Sequence, residues 1–278
     1  MKDKIKLALG QISCKRGDKK ENIKKMEEIT NKAKKQGADL IIFPELSLTG
    51  YVVRDQIYEL AETIPGPSVK AIEGIARKVN AYIIFGMPEL SEKTKATLYN
   101  AAVLVGPEGF IGKYRKMYLP THSVFEEKRY FRAGYHATAF ETKIGKIGLI
   151  VCYDIFFPEV SRLTRLKGAQ LIVCISASPA VRRAFFEALT VARAIENTAF
   201  LAYVNLVGIE DGLQFWGGSR LVGPNGKVLA QAKYDEEEDI VMCDVDYADI
   251  KPVETFVPTL RDLRPELFDE LKKHAENL

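Results

Sequence analysis

The chain has 278 residues, 47% of them apolar, enough material for one sizeable core. Forty Lys and Arg against 37 Asp and Glu leave a net charge of +3, and the interspersed charges give no footing for nucleic acid or a membrane surface. Four cysteines with no close CxxC pair and three scattered histidines make neither a zinc pattern nor a disulfide framework; no apolar run approaches ~18 residues, and no signal-type segment follows the charged start. These features lead us to expect a cytoplasmic protein, one domain over 1–278, with no metal.

In chain order, residues 4–9 read as a strand. A helix follows over about 19–36, with Ile23, Met26, Ile29 and Ala33 on one face and alternating Lys and Glu in solvent. Residues 39–43 form a continuous apolar run stopped by Pro44, the mark of a buried strand. A helix over 68–79, a strand over 81–86 and a hairpin (101–105 and 110–114 about Gly106-Pro107-Glu108-Gly109) come next. Strands at 138–142 and 146–151 lead to a helix from Pro158 to Gly168 and a buried strand at 171–175. The helix over about 181–197 is apolar nearly all round, with only Arg183, Glu187, Thr190 and Asn197 as a narrow polar stripe, so it is expected to pack on several sides. Four more strands follow, at 199–205, 218–223, 227–232 and 240–245. The tail from about 247 carries prolines and a short helix over 265–274. Hairpins among alternating strands and helices favour a layered α/β domain with mixed sheets over a barrel or a doubly wound sheet.

Three strand ends carry chemistry-bearing residues. In Ile41-Ile42-Phe43-Pro44-Glu45 a buried strand delivers a carboxylate. In Ile150-Val151-Cys152-Tyr153-Asp154 a cysteine ends a strand just before a helix, where backbone N–H groups favour an anion. In Lys113-Tyr114-Arg115-Lys116 basic residues close a strand. Taken singly, each has a plainer reading: a turn glutamate, a core cysteine like Cys174 or Cys243, a solvated strand end. His122 and His136 are the only candidate bases for a cysteine–histidine mechanism, and neither has a protease-like context.

Together the three segments resemble the signature of the nitrilase, or carbon–nitrogen hydrolase, superfamily. The similarity extends through Phe125-Glu126-Glu127-Lys128-Arg129-Tyr130-Phe131, Phe157-Pro158-Glu159, Arg193-Ala194-Ile195-Glu196-Asn197 and Pro224-Asn225-Gly226, over roughly residues 4–245. The resemblance implies Glu45 as general base and acid, Lys116 as oxyanion stabiliser, Cys152 as nucleophile and Glu127 as the second glutamate. Glu127 is preferred to Glu126 because it directly precedes Lys-Arg-Tyr-Phe. It implies further a four-layer αββα sandwich of mixed sheets, working as a homodimer or higher homo-oligomer, and a small-molecule amide as substrate, with no cofactor. Cys-Tyr-Asp points to the amide-hydrolysing branch, since true nitrilases resemble Cys-Trp-Glu at this turn. A nitrile or an N-carbamoyl amide is the alternative substrate. The backbone N–H of Tyr153 is expected at the oxyanion, and Tyr51, Phe157, Ala177 and Ser178 at the pocket wall. Where many relatives carry Arg two places after the Asp, this chain has Phe156.

Overall fold

The computed structural model describes residues 2–234 and 237–277. Two six-stranded sheets form its centre. The first holds β1 (Lys4–Gln11), β2 (Leu40–Ile42), β3 (Tyr82–Leu90), β4 (Leu98–Gly106) and β5 (Gly109–Arg115). The second holds β6 (Thr138–Thr142), β7 (Gly145–Val151), β8 (Leu171–Ser176) and β9 (Phe200–Asn205). A hairpin, β10 (Val207–Glu210) and β11 (Leu213–Trp216), precedes β12 (Arg220–Val222) and β13 (Val228–Gln231), which extend the second sheet. The last strand, β14 (Asp239–Asp246), returns to pair with β1.

In each sheet the central strands are parallel and the outer ones antiparallel, the mixed pattern expected from hairpins among crossovers. Strand alternation explains the layering. Leu7, Leu9, Leu40, Ile42, Ile84 and Leu104 share one core with Ile147, Leu149, Leu171 and Val173 of the other sheet. Their neighbours Ala8, Ile41, Phe43, Ile83, Phe85 and Val103 face the opposite way. There they meet Met26, Ile29 and Ala33 of α1 (Lys19–Lys35) and Val69, Ile72 and Ala76 of α2 (Pro67–Val79). On the outer face of the second sheet lie α3 (Pro158–Leu166) and α4 (Arg183–Asn197). A Cβ at Gly148 would stand 2.1 Å from Thr164 Cγ2, so only glycine lets α3 lie this close to β7. The result is an α/β sandwich of mixed sheets in four layers.

The structure refines the reading of α4, adds a hairpin and orders the first part of the tail. The helix read as packed on several sides, α4, turns Phe186, Thr190, Arg193, Ala194 and Asn197 to the protein, so half of its polar stripe is buried while Arg183 and Glu187 stay part-exposed. Val181, Ala184, Phe185, Ala188, Ala192 and Ile195 face outward, with Val181 78% and Phe185 51% exposed. The buried polar groups are used. Arg193 donates to the carbonyls of Ile155 (2.8 Å) and Phe156 (3.3 Å), and Asn197 Nδ2 donates to the Arg193 carbonyl. The hairpin β10–β11 was not anticipated at all. The tail, irregular in sequence, docks at first: Tyr247 is buried and donates to the Ile144 carbonyl, and Thr259 donates to the Glu196 carbonyl. Between them lies α5 (Ile250–Phe256), whereas α6 (Pro265–Ala275) buries no residue.

Candidate active site

Glu45 follows β2 and lies against β3, where a Cβ on Gly86 would stand 2.2 Å from the Leu46 nitrogen. Glycine at that position is what allows the Glu45 segment its path. Lys116 comes one residue after β5. Its N–H donates to the Asn100 carbonyl, and its own carbonyl accepts from Gly134 N–H, each at 2.8 Å. Glu127 opens a short helical turn, Glu127–Tyr130. These three side chains, distant in sequence, meet in the interior. Lys116 Nζ donates to Glu45 Oε1 at 2.7 Å and to Glu127 Oε1 at 2.6 Å, and Lys116 and Glu45 are fully buried. Glu126, by contrast, is exposed.

Neighbouring donors fix the carboxylates. Asn100 Nδ2 donates to Glu45 Oε1 at 2.7 Å and the Ala177 N–H to Glu45 Oε2 at 2.8 Å. The Tyr51 hydroxyl donates to Glu127 Oε1 at 2.7 Å. Glu210, from the unanticipated hairpin, accepts the backbone N–H groups of Tyr51 and Val52, both at 2.8 Å, and so holds the loop that presents Tyr51.

Cys152 comes from the other sheet, at the end of β7, in a left-handed backbone conformation (φ 47°). A non-glycine residue there is strained by the order of 1 kcal/mol, a cost tolerated where the surroundings enforce it. Asp154 is one enforcing group. Its carboxylate accepts from Val151 N–H (3.0 Å) and Tyr114 hydroxyl (2.8 Å), and from the N–H groups of Met117 (3.2 Å) and Tyr118 (2.9 Å). Asp154 thereby ties the cysteine turn to the segment carrying Lys116. Arg193, gripping the carbonyls of Ile155 and Phe156, is the other.

The electrostatics follow from burial and from two carboxylates sharing one ammonium. Burial, then Glu45, push the Cys152 thiol well above its ordinary pKa, against the pull of Lys116. Burial likewise raises Glu127, to about 7, with Lys116 opposing and Glu45 reinforcing. Lys116 is held well above the ordinary lysine value: burial opposes the charge, and Glu127 and Glu45 outweigh it. Asp154 is raised to about 6, chiefly by burial. Cys174, within β8 and the apolar core, lies 3.6 Å from Ser176 Oγ and is pushed up to about 12 by burial, as a core thiol would be.

A cavity of about 20 Å³ opens beside Cys152, room for a water or two, and Tyr153 and Ser178 line it. Asn205 pins Ser178 through both backbone groups, at 2.7 and 3.2 Å. Tyr51 and Glu127 border a separate cleft of about 650 Å³. Phe157 stacks on Tyr118 at 3.4 Å and lines a neighbouring surface hollow instead of the Cys152 cavity. His122 sits on an exposed loop, yet its ring borders that cavity. Among the described residues no three His, Cys, Asp or Glu side chains cluster to hold a metal, and no helix is long and apolar enough to cross a membrane.

Of the groups that sequence reasoning missed, Asn100 left no signal, being one polar residue inside a strand. Glu210 had one: Glu210-Asp211-Gly212-Leu213 is an Asp-Gly turn, and both central residues have positive φ, 52° and 80°.

Known proteins resemble this chain over nearly its whole length. The model of the family "Carbon-nitrogen hydrolase" matches residues 6–255. A probable nitrilase of Schizosaccharomyces pombe is 34% identical, covering 96% of this chain and 98% of its own. The crystal structure of a carbon–nitrogen hydrolase from Helicobacter pylori superposes with a TM-score of 0.89 at 26% identity, over 97% of this chain and 98% of the other. A mutant amidase from Nesterenkonia sp., carrying the acetamide moiety of fluoroacetamide covalently at its active site cysteine, superposes at 0.82 with 29% identity over 96% of each chain. The chain belongs to the carbon–nitrogen hydrolase family, in its amidase-like branch, and is an enzyme acting on a C–N bond of a small amide- or nitrile-type substrate.

Proposed function

We propose that the chain, acting as one catalytic domain, hydrolyses a small linear carboxamide to the acid and ammonia through a Cys152 thioester. The observation that carries this reading is the charge count beside the thiol: two buried carboxylates share one lysine. A thiol raised well above its ordinary pKa keeps its proton at neutral pH, so it needs a base in contact with the reaction, and Glu45 fills that role. Glu45 takes the thiol proton as sulfur attacks the carbonyl carbon. The oxygen gains charge opposite the Lys116 ammonium and the Tyr153 N–H, the two donors assigned to it in this mechanism. The C–N bond breaks as Glu45 returns the proton to nitrogen, which leaves as ammonia. Glu45 then deprotonates a water, which attacks the thioester; the acid departs and Cys152 regains its proton. Glu127 holds Lys116 and, through Tyr51, the loop beside it.

The cysteine adduct in the Nesterenkonia amidase supports one element of this reading, a nucleophilic active-site cysteine. The experiment supplies matched amides and nitriles and follows ammonia, with Cys152→Ala as control. Release from the amides, lost by about 10³-fold in the control, is expected. Release from nitriles alone moves the assignment to a nitrilase, and an active Cys152→Ala protein removes the nucleophile.

We propose also that two copies pair through the outward apolar face of α4 together with Leu163 and Leu166 of α3, which are about half exposed. Sedimentation giving the mass of two chains or more is expected, and a monomer at micromolar concentration contradicts the pairing.

A further inference from the structure

The wall of the Cys152 cavity is mostly apolar, built from rings of Phe125, Tyr153, Phe156 and Phe186, and it contains one permanently charged side chain, Arg182. Arg182 is half-buried at the mouth, one residue before α4 begins. Among the described residues no carboxylate pairs with it, although Arg183 beside it is paired with Glu187 at 3.1 Å. Its one side-chain hydrogen-bond partner among those residues is His122, whose Nδ1 lies 3.3 Å from the guanidinium. Arginine is always a donor, so Nδ1 accepts and the imidazole proton sits on Nε2. Edge contacts with Phe125 and Tyr153 hold that imidazole ring. The first turn of α4 carries no acidic side chain and no side-chain cap, so its positive end is also uncompensated. A positive mouth on an apolar cavity is built to read an anion at the far end of whatever Cys152 attacks.

We propose that the substrate is a short amide whose other end is a carboxylate, and that Arg182, seconded by His122, is the specificity-determining group that binds it. The planar guanidinium can offer two parallel N–H donors to a carboxylate, and the apolar rings around it strengthen the pair. On binding, Arg182 exchanges His122 for the carboxylate, and the imidazole is left free to donate through Nε2. This inference rests on the amide-hydrolase reading above and narrows it.

The test compares the monoamide of succinic acid with a neutral alkyl amide of equal length, in wild type, Arg182→Met and Arg182→Lys. Wild type is expected to favour the anionic amide. In Arg182→Met the ratio of kcat/KM for anionic over neutral amide should fall about 30-fold, mostly through KM, and Arg182→Lys should restore part of it. A wild-type ratio below one, or a ratio that Arg182→Met leaves unchanged, overturns the inference while amide hydrolysis stands. Turnover of neither amide overturns both.

Discussion

Two buried carboxylate clusters sit on the same sheet and differ in their charge balance. Glu89 of β3 is fully buried and accepts from Lys113 and from both Nε and Nη2 of Arg115, one anion against two cations. The Glu45–Lys116–Glu127 cluster has two anions against one cation, and it leaves Glu127 Oε2 buried without a hydrogen-bond partner. The first arrangement is a clamp with both oxygens satisfied, and it pins β3 to β5 across β4. The second holds a surplus carboxylate whose proton affinity is lifted to about 7. A protein gains stability from the first kind of cluster and gives some up to keep the second, which is where proton exchange at neutral pH becomes possible.

Substitutions on both sides can break or sharpen this contrast. The largest effect is expected from Lys116→Met, which removes the cation shared by Glu45 and Glu127 and, on the proposed mechanism, the oxyanion donor with it. Turnover should drop about 10³-fold, and a variant within tenfold of wild type would show that Lys116 is a structural ion only. Glu89→Gln should do the reverse, costing roughly 2 kcal/mol in denaturant unfolding while turnover of the folded enzyme stays within a few-fold. The figure is set below that of a fully buried pair because Lys113 and Arg115 are a quarter to a third exposed.

The subtlest effect belongs to Glu127→Gln. A carboxyl raised from 4.5 to about 7 binds its proton more tightly folded than unfolded. Keeping it ionised therefore costs stability, an amount that is zero below about pH 4.5, grows up to about 7 and is complete above it. The glutamine variant should be more stable than wild type at pH 8, by roughly 1 kcal/mol or more, and the gain should vanish near pH 4. Wild-type kcat/KM should fall as pH drops through about 7, and in Glu127→Gln this limb should move to lower pH with reduced turnover. Equal stability at pH 8 and an unmoved limb would assign the titration elsewhere.

The catalytic candidates were legible because each stands where a periodic pattern stops. Pro44-Glu45 ends an apolar run, Cys152 ends another, and Lys116 closes a basic strand end. Sequence cannot say that these ends meet, because crossovers and the facing of two sheets bring them together. The supporting groups were hidden for the same reason: Asn100 is one polar residue in a strand, and the Ala177 N–H is a backbone donor without a side-chain signature. Asp154 was visible as part of Cys-Tyr-Asp, yet its four hydrogen bonds to two segments were not. The α4 reading is met only in part within one chain. A helix apolar nearly all round is expected to pack on several sides; within one chain its Arg193 bonds the cysteine turn and its apolar side faces out.

The most direct test of the account is the mass of the enzyme caught during turnover. Quenching in acid with a short amide and mapping the digest should find the acyl group, the mass of the amide less ammonia, on the peptide bearing Cys152. It should be absent from Cys152→Ala. Acylation of Cys174, or of the Cys152→Ala protein, would contradict it.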